Sequence, residues 1–294
     1  EAAPPAPASY AGALPALLAL GEGDPARARR ALRIAPPPPA LAALLAAVAH
    51  GLGGRVDDAA QALAPLCGEA SPAGMLAAAL AQLLTPYRDE DSPGPVGAGV
   101  ATLPADYGLL HELMLLARLW AFYQSYRAAG RPAPVAEVRG PLQAEQQRGG
   151  SPLLQGLRAL FLVRLQLDEG ARRAAREQLG QWDNLLAAQP LLRLPAQLLQ
   201  AEIAEEGEGL LTLFRRSESR LEELRHAVED SGCLIYAPWV LELQARAQRG
   251  QDEGQAAALR AQAAGLRRQL GWRVADADAD ADAAPDPESD PGSD

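Results

Sequence analysis

Lysine is absent from this chain, and asparagine occurs once, at Asn184. Without lysine no phosphate-binding G-x-x-x-x-G-K-[ST] loop can be written, and no G-x-S-x-G turn is present to seat a nucleophilic serine. All 27 basic residues are arginine. Ala, Arg, Gly and Pro share GC-rich codons, so this bias reads as genome composition rather than function. Aromatic residues make up 4% of the chain, and isoleucine occurs only at Ile34, Ile203 and Ile235. Strands favour β-branched and aromatic residues, whereas Ala and Leu, which dominate here, favour helices. The composition therefore predicts an all-α protein, and the 48% of hydrophobic residues is enough for a sizeable core.

Cysteine is scarce too. Cys67 and Cys233 form no C-x-x-C pair, which removes zinc-knuckle and thioredoxin-like readings. Both are expected to be small buried apolar residues. A disulfide between them would require export. The longest apolar run, near residues 40–49, is too short to span a bilayer, so no membrane association is expected. The compartment is undecided: the cytoplasm is favoured, and the absence of an initial Met leaves export, or a segment of a longer protein, open.

The formal net charge is -10. From Asp276 to Asp294 there are seven Asp, one Glu and no basic residue, so the rest of the chain is close to neutral. A near-neutral body lacks the basic field that nucleic-acid binding needs, and no nucleic-acid partner is expected. Residues 275–294 read as an acidic disordered tail, because they carry too little apolar surface to offset ordering entropy. Their alternating Asp lacks the Gly and the closing Glu of a calcium loop. Residues 1–9 read as a flexible linker.

Between these ends, Gly and Pro punctuate stretches of 3.6-residue periodicity. The pattern predicts helices at 13–20, 25–34, 39–50, 56–67 and 72–84. After a Pro/Gly/Asp-rich loop at 85–107, it predicts helices at 108–129, 135–148, 152–167, 171–188, 191–205, 208–230, 235–249 and 252–270. Residues 10–84 and 108–274 thus form an N-terminal and a C-terminal set of helices. Asp24-Pro25, Ser71-Pro72 and Ser151-Pro152 each place an N-cap before Pro at the first helical position. The stripes Leu210, Phe214, Ser217, Leu221, Leu224, Val228 and Ala256, Leu259, Ala263, Leu266, Leu270 mark single buried faces.

The stretches ALRIAP (31–36) and PALAALLAAVAHGLGGRVDDAAQAL (39–63), with G-x-x-(D/E)-x-A-type turns at 23–28 and 54–59, resemble tetratricopeptide repeats. The segment beginning at Leu234 is similar to the repeats of large bacterial regulators. The large residues expected on the first helix of each repeat are mostly Ala here, and no strict 34-residue period survives. The resemblance implies an array of antiparallel helix hairpins, an α-solenoid, that binds a protein or peptide partner.

Candidate chemistry is thin. His111-Glu112 begins an HExxH motif, but Leu115 stands where the second His is needed. Glu223 and His226 form a single ExxH, whereas a di-iron bundle needs two such motifs and two further carboxylates. Arg88, Asp89, Glu90 and Asp91 read as a solvated loop run, and the clusters Arg27, Arg29, Arg30, Arg33 and Arg172, Arg173, Arg176 as partners for nearby carboxylates or plain solubilising charge. No catalytic residue, metal or cofactor is expected. The one notable concentration is Trp120, Phe122, Tyr123 and Tyr126. Leu109, Leu113, Leu116, Trp120 and Tyr123 are expected to form the buried stripe of their helix. Phe122 and Tyr126, flanked by Arg118 and Arg127, fall on another face and are the candidate partner-binding residues. The function expected is a non-enzymatic interaction or regulatory module of undetermined oligomeric state. The alternatives are a helical segment of a larger signalling ATPase or transcriptional regulator, and an all-α ligand- or metal-binding protein.

Overall fold

A computed structural model describes residues 13–84, 108–128, 134–205, 212–249 and 251–270. Among these are fourteen α-helices and no strand. The first group comprises α1 (Ala13–Gly21), α2 (Pro25–Ile34), α3 (Pro39–Leu52), α4 (Val56–Leu63) and α5 (Pro72–Leu84). The second comprises α6 (Gly108–Ala128), α7 (Val135–Arg148), α8 (Pro152–Asp168), α9 (Arg172–Gln181), α10 (Asp183–Ala188), α11 (Pro190–Glu205), α12 (Thr212–Ser231), α13 (Ala237–Gln248) and α14 (Glu253–Gln269). The linker, the 85–107 loop and the acidic tail lie outside the described residues.

Capping sets most boundaries. Asp24 Oδ1 accepts from the Arg27 amide at 2.7 Å and Asp252 Oδ1 from Gln255 at 2.9 Å. Ser71 and Ser151 accept in the same way from Gly74 and Leu154. Each satisfies one amide that the first helical turn leaves without a partner. Two predicted helices are shorter than expected. The helix expected at 56–67 ends at Leu63, because Pro65 has no N–H with which to continue the ladder. The one expected at 171–188 breaks at Trp182, whose φ of -103° and ψ of 3° leave the helical region. The break lets Trp182 and Leu186 pack into one core with Leu179 and Leu192.

Every helix packs on the next in the chain, and α1 on α3, α3 on α5, α6 on α8, α8 on α11 and α11 on α13. Five cores result, two within residues 13–84 and three within the second group. None of the five takes residues from both groups. The groups meet at α5 against α6, and again where α1 touches α11 and α3 touches a 3-10 turn at Leu234–Tyr236. Cys233 is buried beside that turn, as expected, whereas Cys67 is exposed, and both thiols are free. Cys67 lies in the turn that Pro65 creates, which carries it off the buried face of α4.

Candidate functional site

Helix α6 carries the aromatic concentration. Tyr123 is fully buried with Leu119, packing on Val138, Leu142, Phe161, Leu162 and Leu165. Trp120 is half-buried and meets Phe161 edge-on, with centroids 4.9 Å apart. Tyr123 meets the same ring at 5.2 Å. Such tilted pairs suit the ring quadrupole. The expected stripe needs correction here. Leu113, Leu116 and Trp120 are only half-buried, and Leu119 and Tyr123 are the α6 residues buried in this core. The side chain of Leu109 lies outside the described residues. Phe122 is half-buried and packs against the same core as Trp120. Because α6 lies against α5, α7 and α8, its apolar band is wider than one stripe.

Phe122 and Tyr126 nevertheless form their own pair, with ring centroids 5.0 Å apart and planes at 67°. Tyr126 is half-buried, as is Arg118 one turn before Phe122. Arg127 lies on α6, but its side chain is outside the described residues.

The most connected polar feature was not anticipated. The Tyr123 hydroxyl donates to Asp168 on α8. Asp168 also receives Arg164 through Nε at 3.0 Å and Nη2 at 2.6 Å. Arg164 reaches across to Glu202 on α11 at 2.7 Å. Glu202 in turn accepts from the Trp239 indole at 3.2 Å and from Arg246 at 3.3 Å, both on α13. One chain of hydrogen bonds therefore ties α6, α8, α11 and α13. Burial works against the charge of Arg164, but the carboxylates of Glu202 and Asp168 outweigh it and hold its pKa above the ordinary arginine range. Arg158, 3% exposed, plays a parallel part nearer the other end of α8. It donates to the carbonyls of Glu145 at 2.9 Å and Gly149 at 2.6 Å, and pairs with Glu112 of α6 at 3.5 Å. The sequence signal was a charge inside an apolar run, as in Gly156-Leu-Arg-Ala and Leu-Val-Arg164-Leu.

The other flagged residues are dispersed. His226 and Glu223 are both exposed, and His226 pairs with Glu222 at 3.1 Å rather than with Glu223. His111 is half-buried on α6. Arg27 pairs with Glu22 and Arg173 with Glu177, whereas Arg29 donates to the Ala49 carbonyl at the end of α3. The run Arg88–Asp91 lies outside the described residues. Among the described residues no group of three or more His, Cys, Asp or Glu is placed to hold a metal ion, and no helix is long and apolar enough to cross a membrane. No protein-family model, curated protein or solved structure matches the chain.

Proposed function

We propose that this chain is a non-enzymatic helical-repeat module, built like a tetratricopeptide-type solenoid of antiparallel hairpins, that holds a protein or peptide segment. The observation that carries the reading is the packing order, each helix on the next and, in addition, α1 on α3, α3 on α5, α6 on α8 and α11 on α13. Stacked units of this kind bury their apolar stripes on their neighbours and leave an extended face for a partner. The face beside Phe122, Tyr126 and Arg118 is the favoured contact region, since half-buried aromatics with arginine nearby are the types that most often dominate binding energy. The polar chain from Tyr123 to Arg246 would hold four helices in fixed relation beside it.

The test is a photo-crosslinking residue placed at Tyr126, and separately at Arg173, which is 94% exposed on α9. The reading expects partner adducts from position 126 and none from position 173. Phe122→Ala should weaken that capture while costing less stability than Trp120→Ala. Equal adducts from both positions, or capture indifferent to Phe122, would remove this face from consideration.

A second reading, a helical segment of a larger regulator, draws on α1. Leu14, Leu17 and Leu18 are 57%, 48% and 55% exposed, and the helix carries no charge. The outer face of a terminal repeat is ordinarily polar. Leu14→Glu combined with Leu18→Glu should leave the fold intact and disrupt only an assembly that covers this face.

A further inference from the structure

The arginines of this chain are not evenly spread. Helix α2 carries four of them, Arg27, Arg29, Arg30 and Arg33, and no carboxylate. Arg27 is paired with Glu22. Arg30 and Arg33 are exposed, and among the described residues no carboxylate pairs with either. Arg29 turns inward. Its Nη1 donates to the Ala49 carbonyl at 3.0 Å and lies 2.6 Å from the point that a Cβ on Gly53 would occupy. The guanidinium therefore sits against the turn between α3 and α4. Arg55 stands in that same turn, paired with Asp58. Burial first, then Arg55 and Arg33, hold the Arg29 pKa below its ordinary range, and Asp24 and Asp58 oppose them with smaller effect. Where α2 meets the turn, the field of the arginines outweighs that of the two aspartates.

The chain leaves its last helix at the same turn. Leu270 ends α14, and a Cβ on Gly54 would lie 2.8 Å from one of its methyls. Gly54 immediately precedes Arg55. Asp276 follows Leu270 by six positions and opens the segment that holds seven Asp, one Glu and no basic residue. Six residues span at most about 20 Å, so the tether cannot carry Asp276 further than that from the turn. Groups joined by a tether this short meet at an effective concentration in roughly the millimolar range.

We propose that the arginine face formed by α2 and the α3–α4 turn is a docking surface for the chain's own acidic segment, residues 276–294. Guanidinium and carboxylate match in planar, two-pronged pairs. Asp at every second position from Asp276 to Asp282 lets many registers serve equally, so the contact needs no single alignment. Arg30 and Arg33, which no described carboxylate engages, are its main donors. The contact screens α2, and an acidic segment from another protein must displace it to reach the same arginines. The inference does not rest on the partner-binding face at α6.

The test is a spin label on the acidic segment of the full chain. Cys67→Ser and Cys233→Ser leave Ala279→Cys as the one thiol for a nitroxide, and line broadening is read at backbone amides by NMR. Nearness imposed by the tether alone is measured in the same chain with its seven acidic-segment Asp changed to Asn and Glu288 to Gln. Broadening of the Arg29–Ile34 amides should be at least threefold stronger with the charged segment than with the neutral one. Arg30→Gln with Arg33→Gln alters only exposed side chains and should bring it down to the neutral level. Salt at about 1 M, where the screening length is about 3 Å, should do the same. The amides of α9, whose Arg173 is already paired with Glu177, should not respond to the segment's charge. The proposal is overturned if the charged and neutral segments broaden α2 equally, if the double Arg variant leaves the broadening intact, or if α9 responds as strongly as α2.

Discussion

The helices before residue 85 and those after residue 107 reach stability by different means. In the first group the deepest positions are mostly alanine: Ala16, Ala19, Ala28, Ala49, Ala59 and Ala77 are essentially inaccessible. Small side chains bring helix axes close together, and specificity rests on shape. In the second group the interior holds Tyr123 and Phe161 together with Arg158, Arg164 and Glu202. Polar groups there are tolerated because each finds several partners, and they fix which helix faces which. The contrast teaches that one composition, rich in Ala and Leu, can support two kinds of interior, vulnerable to opposite substitutions.

The largest effect should come from removing a buried charge partner. Arg158→Ala leaves the carbonyls of Glu145 and Gly149 and the Glu112 carboxylate without their donor, and should cost roughly 3–5 kcal/mol in denaturant unfolding. Arg158→Met, which keeps the volume, should cost clearly less. Equal losses would mean that packing, not charge, sets the second interior.

The mirror experiment overfills the first interior. Ala49→Leu, beside Ala16 and Ala28 in the α1–α3 core, should destabilise by about 1–3 kcal/mol through displaced backbone. If Ala49→Leu is neutral, the first interior is loosely packed and the contrast collapses.

A smaller effect is expected at the helix starts that both groups share. Asp24→Ala and Asp252→Ala each remove a capping acceptor and should each cost about 1 kcal/mol. Similar losses in the two groups would show that local boundaries are equivalent and only the interiors differ.

The mildest prediction concerns pH. His50, near the end of α3, has its pKa lowered, first by burial and then by Arg55 and Arg29, with Asp58 opposing. A base whose folded pKa is depressed supports folding fully above its unfolded value of about 6.5, and that support is lost as pH falls through the folded value. Melting temperature should therefore decline below about pH 6.5, and His50→Gln should flatten that decline. Labelled separately, α1–α4 should register the change before the second group does.

Much of the fold was legible in the sequence because the signals were local. Asp24-Pro25 and Ser151-Pro152 announced helix starts, and the stripe Ala256 to Leu270 marked a face whose Ala256 and Ala263 are indeed buried. Local signals fail where a distant neighbour decides. Trp182 ends a helix because a core from α8 and α11 receives it, and nothing in residues 171–188 declares that core. The wide apolar band of α6 follows from neighbours on several sides, so Phe122 joined a core that helical spacing alone assigned to other residues. The bond network around Arg164 and Glu202 unites residues from four helices, and only the i, i+4 pair Arg164–Asp168 was visible locally.

The central claim is that the serial array curls until its first turns reach its last helices. Ala26→Cys with Gly232→Cys, in a chain carrying Cys67→Ser and Cys233→Ser, tests it most directly. The 3.8 Å separation at these positions matches the Cβ spacing of a disulfide, about 3.8 Å. Mild oxidation of the monomer should give one intrachain disulfide, seen as faster migration on a non-reducing gel and reversed by reductant. Free thiols alone, or only disulfide-linked dimers, would contradict the claim that the two ends meet.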